Sequence, residues 1–130
     1  MISISIFGDS ITQGVSDSQG GWAQRLKQDS KKKGVAVSVF GVDGDTSTGL
    51  LQRLEREASS TKPDVIIIAI GINDSMYRDG RIETTLNRFK ENIQRLISLT
   101  KKFTHKIIVL GLTGVDEKRT TPVPWNGWIY

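Results

Sequence analysis

Three short polar clusters hold the residues able to do chemistry: Gly8-Asp9-Ser10-Ile11-Thr12, Val42-Asp43-Gly44-Asp45-Thr46 and Gly71-Ile72-Asn73-Asp74. Ser10 offers a hydroxyl. A serine at a strand-to-helix turn presents that group to a cleft, beside backbone amides that can stabilise an anion. Gly44 lets a ligand approach the backbone closely and leaves its N–H unshielded. The Asn73 side chain is a neutral donor suited to a developing oxyanion. Each cluster also has a plainer reading. Ser10 fits a helix N-cap, Gly44 a turn glycine, and Asn73 and Asp74 fit loop-stabilising Asx turns. Asp74 orders its loop or caps the next helix, and Asp9 orders its loop rather than acting as a base.

The elements around these clusters decide whether they meet. Residues 2–7 alternate apolar and polar side chains and read as a strand; 35–40 and 106–110 read likewise. Residues 65–70 form a continuous apolar run, which suits a strand covered on both faces of a parallel sheet. Helices are expected over 22–33 with Gly34 as the stop, over 48–58 with Ser47 or Thr48 as N-cap, and over 82–103, where the apolar residues keep helical spacing. Residues 8–20, 41–46 and 71–80 read as loops, and no element is visible in 113–130. The order β-α-β-α-β-α-β builds a parallel sheet with helices on both faces, a flavodoxin-like three-layer α/β/α sandwich. In such sheets ligands bind at the carboxyl ends of the strands. All three polar loops follow a strand, so all three should face that end. Trp22 and Tyr77 would line the cleft there or simply pack.

Composition narrows the field. The 130 residues suit a single domain with a real core. With no cysteine, disulfides and thiol nucleophiles are excluded. One histidine and scattered carboxylates show no metal-ligand spacing, so no metal is expected. The net charge of +4 is concentrated at Lys31-Lys32-Lys33 and Lys101-Lys102, both at helix ends, where cations complement the helix dipole. No aromatic-interleaved basic patch or reading motif suggests nucleic acid. No apolar run is long enough to span a membrane. Strand-like sequence begins at Ile2 without a basic leader, so the cytoplasm is the expected compartment.

The three clusters resemble the conserved blocks of the SGNH (GDSL-type) hydrolases. Gly8-Asp9-Ser10-Ile11-Thr12 is similar to the first block, with Ile11 where leucine is usual. Gly44 matches the second-block glycine, and Gly71-Ile72-Asn73-Asp74 the third, Gly-x-Asn-Asp. The resemblance implies that Ser10 is the nucleophile. It also implies an oxyanion hole made by the Ser10 N–H, the Gly44 N–H and the Asn73 side chain. The family cleaves small-molecule esters through an acyl-enzyme and uses no cofactor. The chain departs from the family at one point: the Asp-x-x-His block that supplies the base is absent. The only histidine, His105, lies at the start of the fourth strand. A five-residue strand spans roughly 16 Å, far beyond hydrogen-bond reach of about 3 Å from the opposite end.

The chain therefore reads as one SGNH domain over 1–130, truncated at the C-terminus and lacking the last strand and final helices. Negligible esterase activity is expected of it. Self-association through the incomplete sheet edge is also expected, with Trp125, Trp128 and Tyr130 covering part of the gap. A non-catalytic small-molecule or carbohydrate-binding module using the same cleft is the competing reading. A phosphate-binding flavodoxin-like protein ranks below it, because Gly8, Gly14, Gly20 and Gly21 do not fit a Gly-x-Gly-x-x-Gly spacing.

Overall fold

The computed structural model describes residues 1–130. Four parallel strands form the sheet: β1 (Ser3–Gly8), β2 (Ala36–Gly41), β3 (Val65–Ala69) and β6 (Ile107–Val109), in the order β2-β1-β3-β6. Between them run α1 (Ser10–Gln13), α2 (Trp22–Lys31), α3 (Ser47–Thr61) and α4 (Leu86–Thr100). A small antiparallel hairpin, β4 (Tyr77–Arg78) and β5 (Arg81–Ile82), precedes α4, and α5 (Glu117–Thr120) follows β6.

The period of two along each strand sorts its side chains onto opposite faces. On one face Phe7, Ile66 and Ile68 meet Leu50 and Leu54 of α3 and Leu96 of α4. On the other, Ile6, Val37 and Ile67 meet Ala23 of α2, with Leu26 beside them. The result is the three-layer α/β/α arrangement expected from the element order.

Several boundaries differ from the sequence reading, each for a local reason. The loop after β1 contains the short helix α1, capped by the Asp9 carboxylate accepting from Ile11 N at 2.9 Å. Helix α2 ends at Lys31, but its carbonyls are closed by Gly34 N to Lys31 O (3.1 Å) and Val35 N to Ser30 O (3.0 Å), the Schellman pattern that makes Gly34 the stop. The N-cap of α3 is Thr46, one residue earlier than expected, and it accepts from Gly49 N. Helix α4 begins four residues late because Thr85 caps it, and Glu83 N and Thr84 N are drawn to Met76 O and Asp74 O. Ile82 belongs to the hairpin instead. Strand β6 is one residue shorter at each end than expected, although Lys106 O and Leu110 N still bond to β3.

The 113–130 segment, where no element was expected, carries α5 and an antiparallel bridge from Ile129 to Tyr77. Trp125 is 84% exposed and covers nothing. The Arg78 guanidinium lies 4.4 Å above the Trp128 ring instead. No helix is long and apolar enough to cross a membrane.

Leu54 is fully buried between α3 and the sheet. Leu54→Ala is expected to cost about 2–5 kcal/mol, read as a lower urea midpoint at an unchanged slope. Strand β6 is an edge of the sheet, and Ile108, Val109, Leu110 and Leu112 around it are all at least 39% exposed. Such an edge is expected to drive self-association. Light scattering over a concentration series should show a rising mass, and a constant monomer mass would contradict this.

Candidate active site

The parallel register sets the position of the site. Gly8 of β1 pairs with Gly41 of β2 and with Ala69 of β3, so the three strands finish in step. The loops bearing Ser10, Gly44 and Asn73 leave from that one end. Ser10 is the first residue of α1 and half-buried. The first N–H groups of a helix have no intrahelical acceptor, so the Ser10 amide is free for a ligand. Its hydroxyl has no hydrogen-bond partner in the protein. Gly44 is exposed in the turn closed by Asp45 N to Val42 O. Its φ of +76° favours glycine, and nothing lies within 4 Å of where a Cβ would be.

Asn73 is buried, and its Nδ2 donates to Asp45 O at 2.9 Å. One amide N–H is thereby tied to the second loop, and the other remains unengaged. Asp74 caps a helix, but the preceding one rather than the next. Its carboxylate accepts from Ser47 N (2.9 Å) and Ser47 Oγ (2.6 Å) at the start of α3. Asn92 of α4 joins this group, donating to Ser47 Oγ and Thr48 Oγ1. Sequence reasoning missed Asn92, yet it was signalled: a polar residue on the stripe shared by Phe89, Ile93 and Leu96. Arg53 was missed in the same way. It lies one position before Leu54 on α3, and its guanidinium reaches Asp45, Glu57 and the carbonyls of Gly8 and Phe40.

Asp9 orders its loop, as expected. Burial pushes its carboxyl above the ordinary 3.8, against the opposing Ile11 N–H, and the Asp45 charge adds to the rise. Beside it, Thr12 Oγ1 is buried with no partner and occupies the space that any side chain at Gly8 would need. A cavity of about 250 Å³ opens next to these residues, walled by Ile11, Trp22, Ile72, Leu110 and Leu112. Trp22 therefore lines the cleft, whereas Tyr77 pairs with Ile129. Tyr130 stands close enough to the site loops to feel their charges. Burial raises its phenol, Arg78 opposes the rise, and Asp43 and Asp9 add to it.

His105 is exposed and precedes β6 at the amino end of the sheet, opposite Ser10. No group of three or more histidine or acidic side chains converges as a metal site would require.

A family model described as the GDSL-like lipase/acylhydrolase family matches residues 6–129. The chain belongs to that family. Solved structures agree with the assignment. A lipase/acylhydrolase from Enterococcus faecalis is 32% identical over 95% of this chain and 64% of its own, with a TM-score of 0.73. AlinE4, an SGNH-hydrolase family esterase, is 21% identical over 96% of this chain and 65% of its own, with a TM-score of 0.74. The psychrotrophic esterase EstA from Pseudoalteromonas sp. is 20% identical over 86% and 60%, with a TM-score of 0.71. The last two likenesses are of fold alone. No curated protein matches the chain. This GDSL-family chain thus spans about 60–65% of the length of those structures.

The raised Asp9 carboxyl has a measurable consequence. The folded chain binds this proton more tightly than the unfolded chain. The resulting stability is fully present below the unfolded pKa and is lost as pH rises through the elevated folded value. Asn caps helices about as well as Asp. Asp9→Asn is therefore expected to gain urea stability relative to the wild type as pH rises from about 4 to 7. A wild-type-to-variant difference that is constant with pH would contradict it.

Proposed function

We propose that the chain carries the nucleophile half of a serine ester hydrolase site. Ser10 Oγ attacks the ester carbonyl carbon, and the carbonyl oxygen becomes an oxyanion held by the Ser10 N–H, the Gly44 N–H and the free N–H of the Asn73 side chain. Collapse of that intermediate forms the acyl-enzyme and expels the alcohol, and water then releases the acid. The cavity walled by Ile11, Trp22 and Leu110 is lined by Asp9 and Ile11, the two neighbours of Ser10 in the chain, and offers the substrate's acyl or alkyl group an apolar place. The observation that carries this reading is the in-step ending of β1, β2 and β3, which brings the three family blocks to one edge.

The proton on Ser10 needs an acceptor, and none in this chain reaches it. Removing the base from a serine hydrolase costs around a million-fold in turnover. The 130-residue chain alone is therefore expected to hydrolyse p-nitrophenyl acetate no faster than its Ser10→Ala variant. A Ser10-dependent rate near 10 per second, ordinary for an enzyme, would overturn this. The partnerless Ser10 hydroxyl equally favours a non-catalytic binding module. The two readings separate when the chain is extended with the corresponding C-terminal segment of the Enterococcus faecalis structure. A serine-directed phosphonate should then label Ser10; a folded chimera left unlabelled would favour the binding module.

A further inference from the structure

Arg53 is the most heavily engaged side chain near the site, yet it touches none of the three blocks' reacting groups. Its side chain is 11% exposed. Nε donates to Asp45 Oδ2 at 2.8 Å, and Nη2 lies 2.8 Å from the same oxygen. Nη2 also donates to Gly8 O at 2.9 Å. Nη1 donates to Phe40 O at 3.1 Å and to Glu57 Oε2 at 2.7 Å. These contacts reach the end of β1, the end of β2 and the second loop at once. A lysine, with a single compact ammonium, cannot reproduce that fork.

Asp45 links Arg53 to the site. Its carboxylate is held by Arg53 and by Thr46 N, while its carbonyl accepts the Asn73 side chain. A second, independent feature serves the same placement. The Asp45 carboxylate occupies the space where a Cβ at position 49 would lie, so only glycine there admits it. Two residues beyond Gly8, whose carbonyl Arg53 also holds, stands Ser10.

We propose that Arg53 is a positioning residue for the oxyanion hole: it fixes Asp45, and through the Asp45 carbonyl it orients the Asn73 amide toward the anion site beside Ser10. The proposal deepens the hydrolase reading and rests on it for the meaning of that orientation. Arg53 touches no substrate. Its effect is to keep one Asn73 N–H occupied so that the other has a single direction, which an oxyanion hole requires because misaimed donors lose most of their value.

The test reads the Asn73 side-chain amide by NMR in the ¹⁵N-labelled 130-residue chain. This measurement needs no turnover. In the wild type, the Nδ2 proton bonded to Asp45 O should exchange with solvent more slowly than an exposed asparagine amide. In Arg53→Lys and in Asp45→Asn, that proton is expected to move toward the free-amide position and to exchange about tenfold faster, the loss of one ordinary hydrogen bond. Asp45→Asn keeps size and backbone, and it keeps the test decisive should Arg53→Lys fail to fold. A purely structural role would lower thermal stability in both variants and leave the Asn73 amide where it was. That result, in a variant with native circular dichroism, overturns the proposal. Failure of the hydrolase reading shows elsewhere, as an extended chain whose Ser10 takes no phosphonate.

Discussion

Everything at the site depends on three parallel strands ending at the same level. Parallel ladders fix register residue by residue, and a slip of one would turn every side chain to the opposite face. Here Phe7 lies opposite Ile68 on one face and Ile6 opposite Ile67 on the other, and all four side chains are buried. Gly8, Gly41 and Ala69 stand level above that buried core. The polar residues beyond it inherit their positions. The loops bearing serine, glycine and asparagine come from three distant stretches of sequence and leave the sheet at that shared level.

Above that level, polar contacts take over. The Asp74–Ser47–Asn92 group ties the third loop to α3 and α4, while Arg53 and Asp45 tie the ends of β1 and β2 to the second loop. Buried polar groups are stabilising only when their partners are complete, and removing one member leaves the others desolvated without compensation. Thr12 is the exception. Its buried hydroxyl lacks a partner, a cost of about 1–3 kcal/mol that the packing of α1 onto Gly8 must offset. The buried Asp9, Asn73 and Asp74 side chains at the base of these loops are all engaged, while the Ser10 hydroxyl and the Gly44 amide have no partner in the protein.

The sheet, its layers and the meeting of the three polar loops were legible in sequence because they follow from periodicity and alternation. The apolar run over 65–70 suited a covered strand, and Gly34 read as a helix stop. What escaped depended on partners far along the chain. Asp74 caps α3 rather than α4 because Ser47 approaches it across the sheet end, and spacing within residues 71–80 carries no trace of that. Ile82 kept helical phase with Leu86 and Phe89, yet Thr85 captured the N-cap and the hairpin claimed Ile82. The bridge from Ile129 to Tyr77 joins two segments with no regular pattern of their own. Asn92 and Arg53 were visible only as polar residues on or beside buried stripes, a signal that gives no partner.

The sheet order also sets a timetable. Strand β1 is central, bonded to β2 on one side and β3 on the other, and Ser3 finds Asp64 across 61 residues. During synthesis at roughly 5–20 residues per second, β1 leaves the ribosome before β3 and waits several seconds for the strand that completes its ladder. Through that interval Ile4, Ile6 and Phe7 have no sheet to enter, and the nascent chain must keep them from other partners. An interior strand made well before one of its two neighbours thus leaves its apolar side chains uncovered until that neighbour arrives.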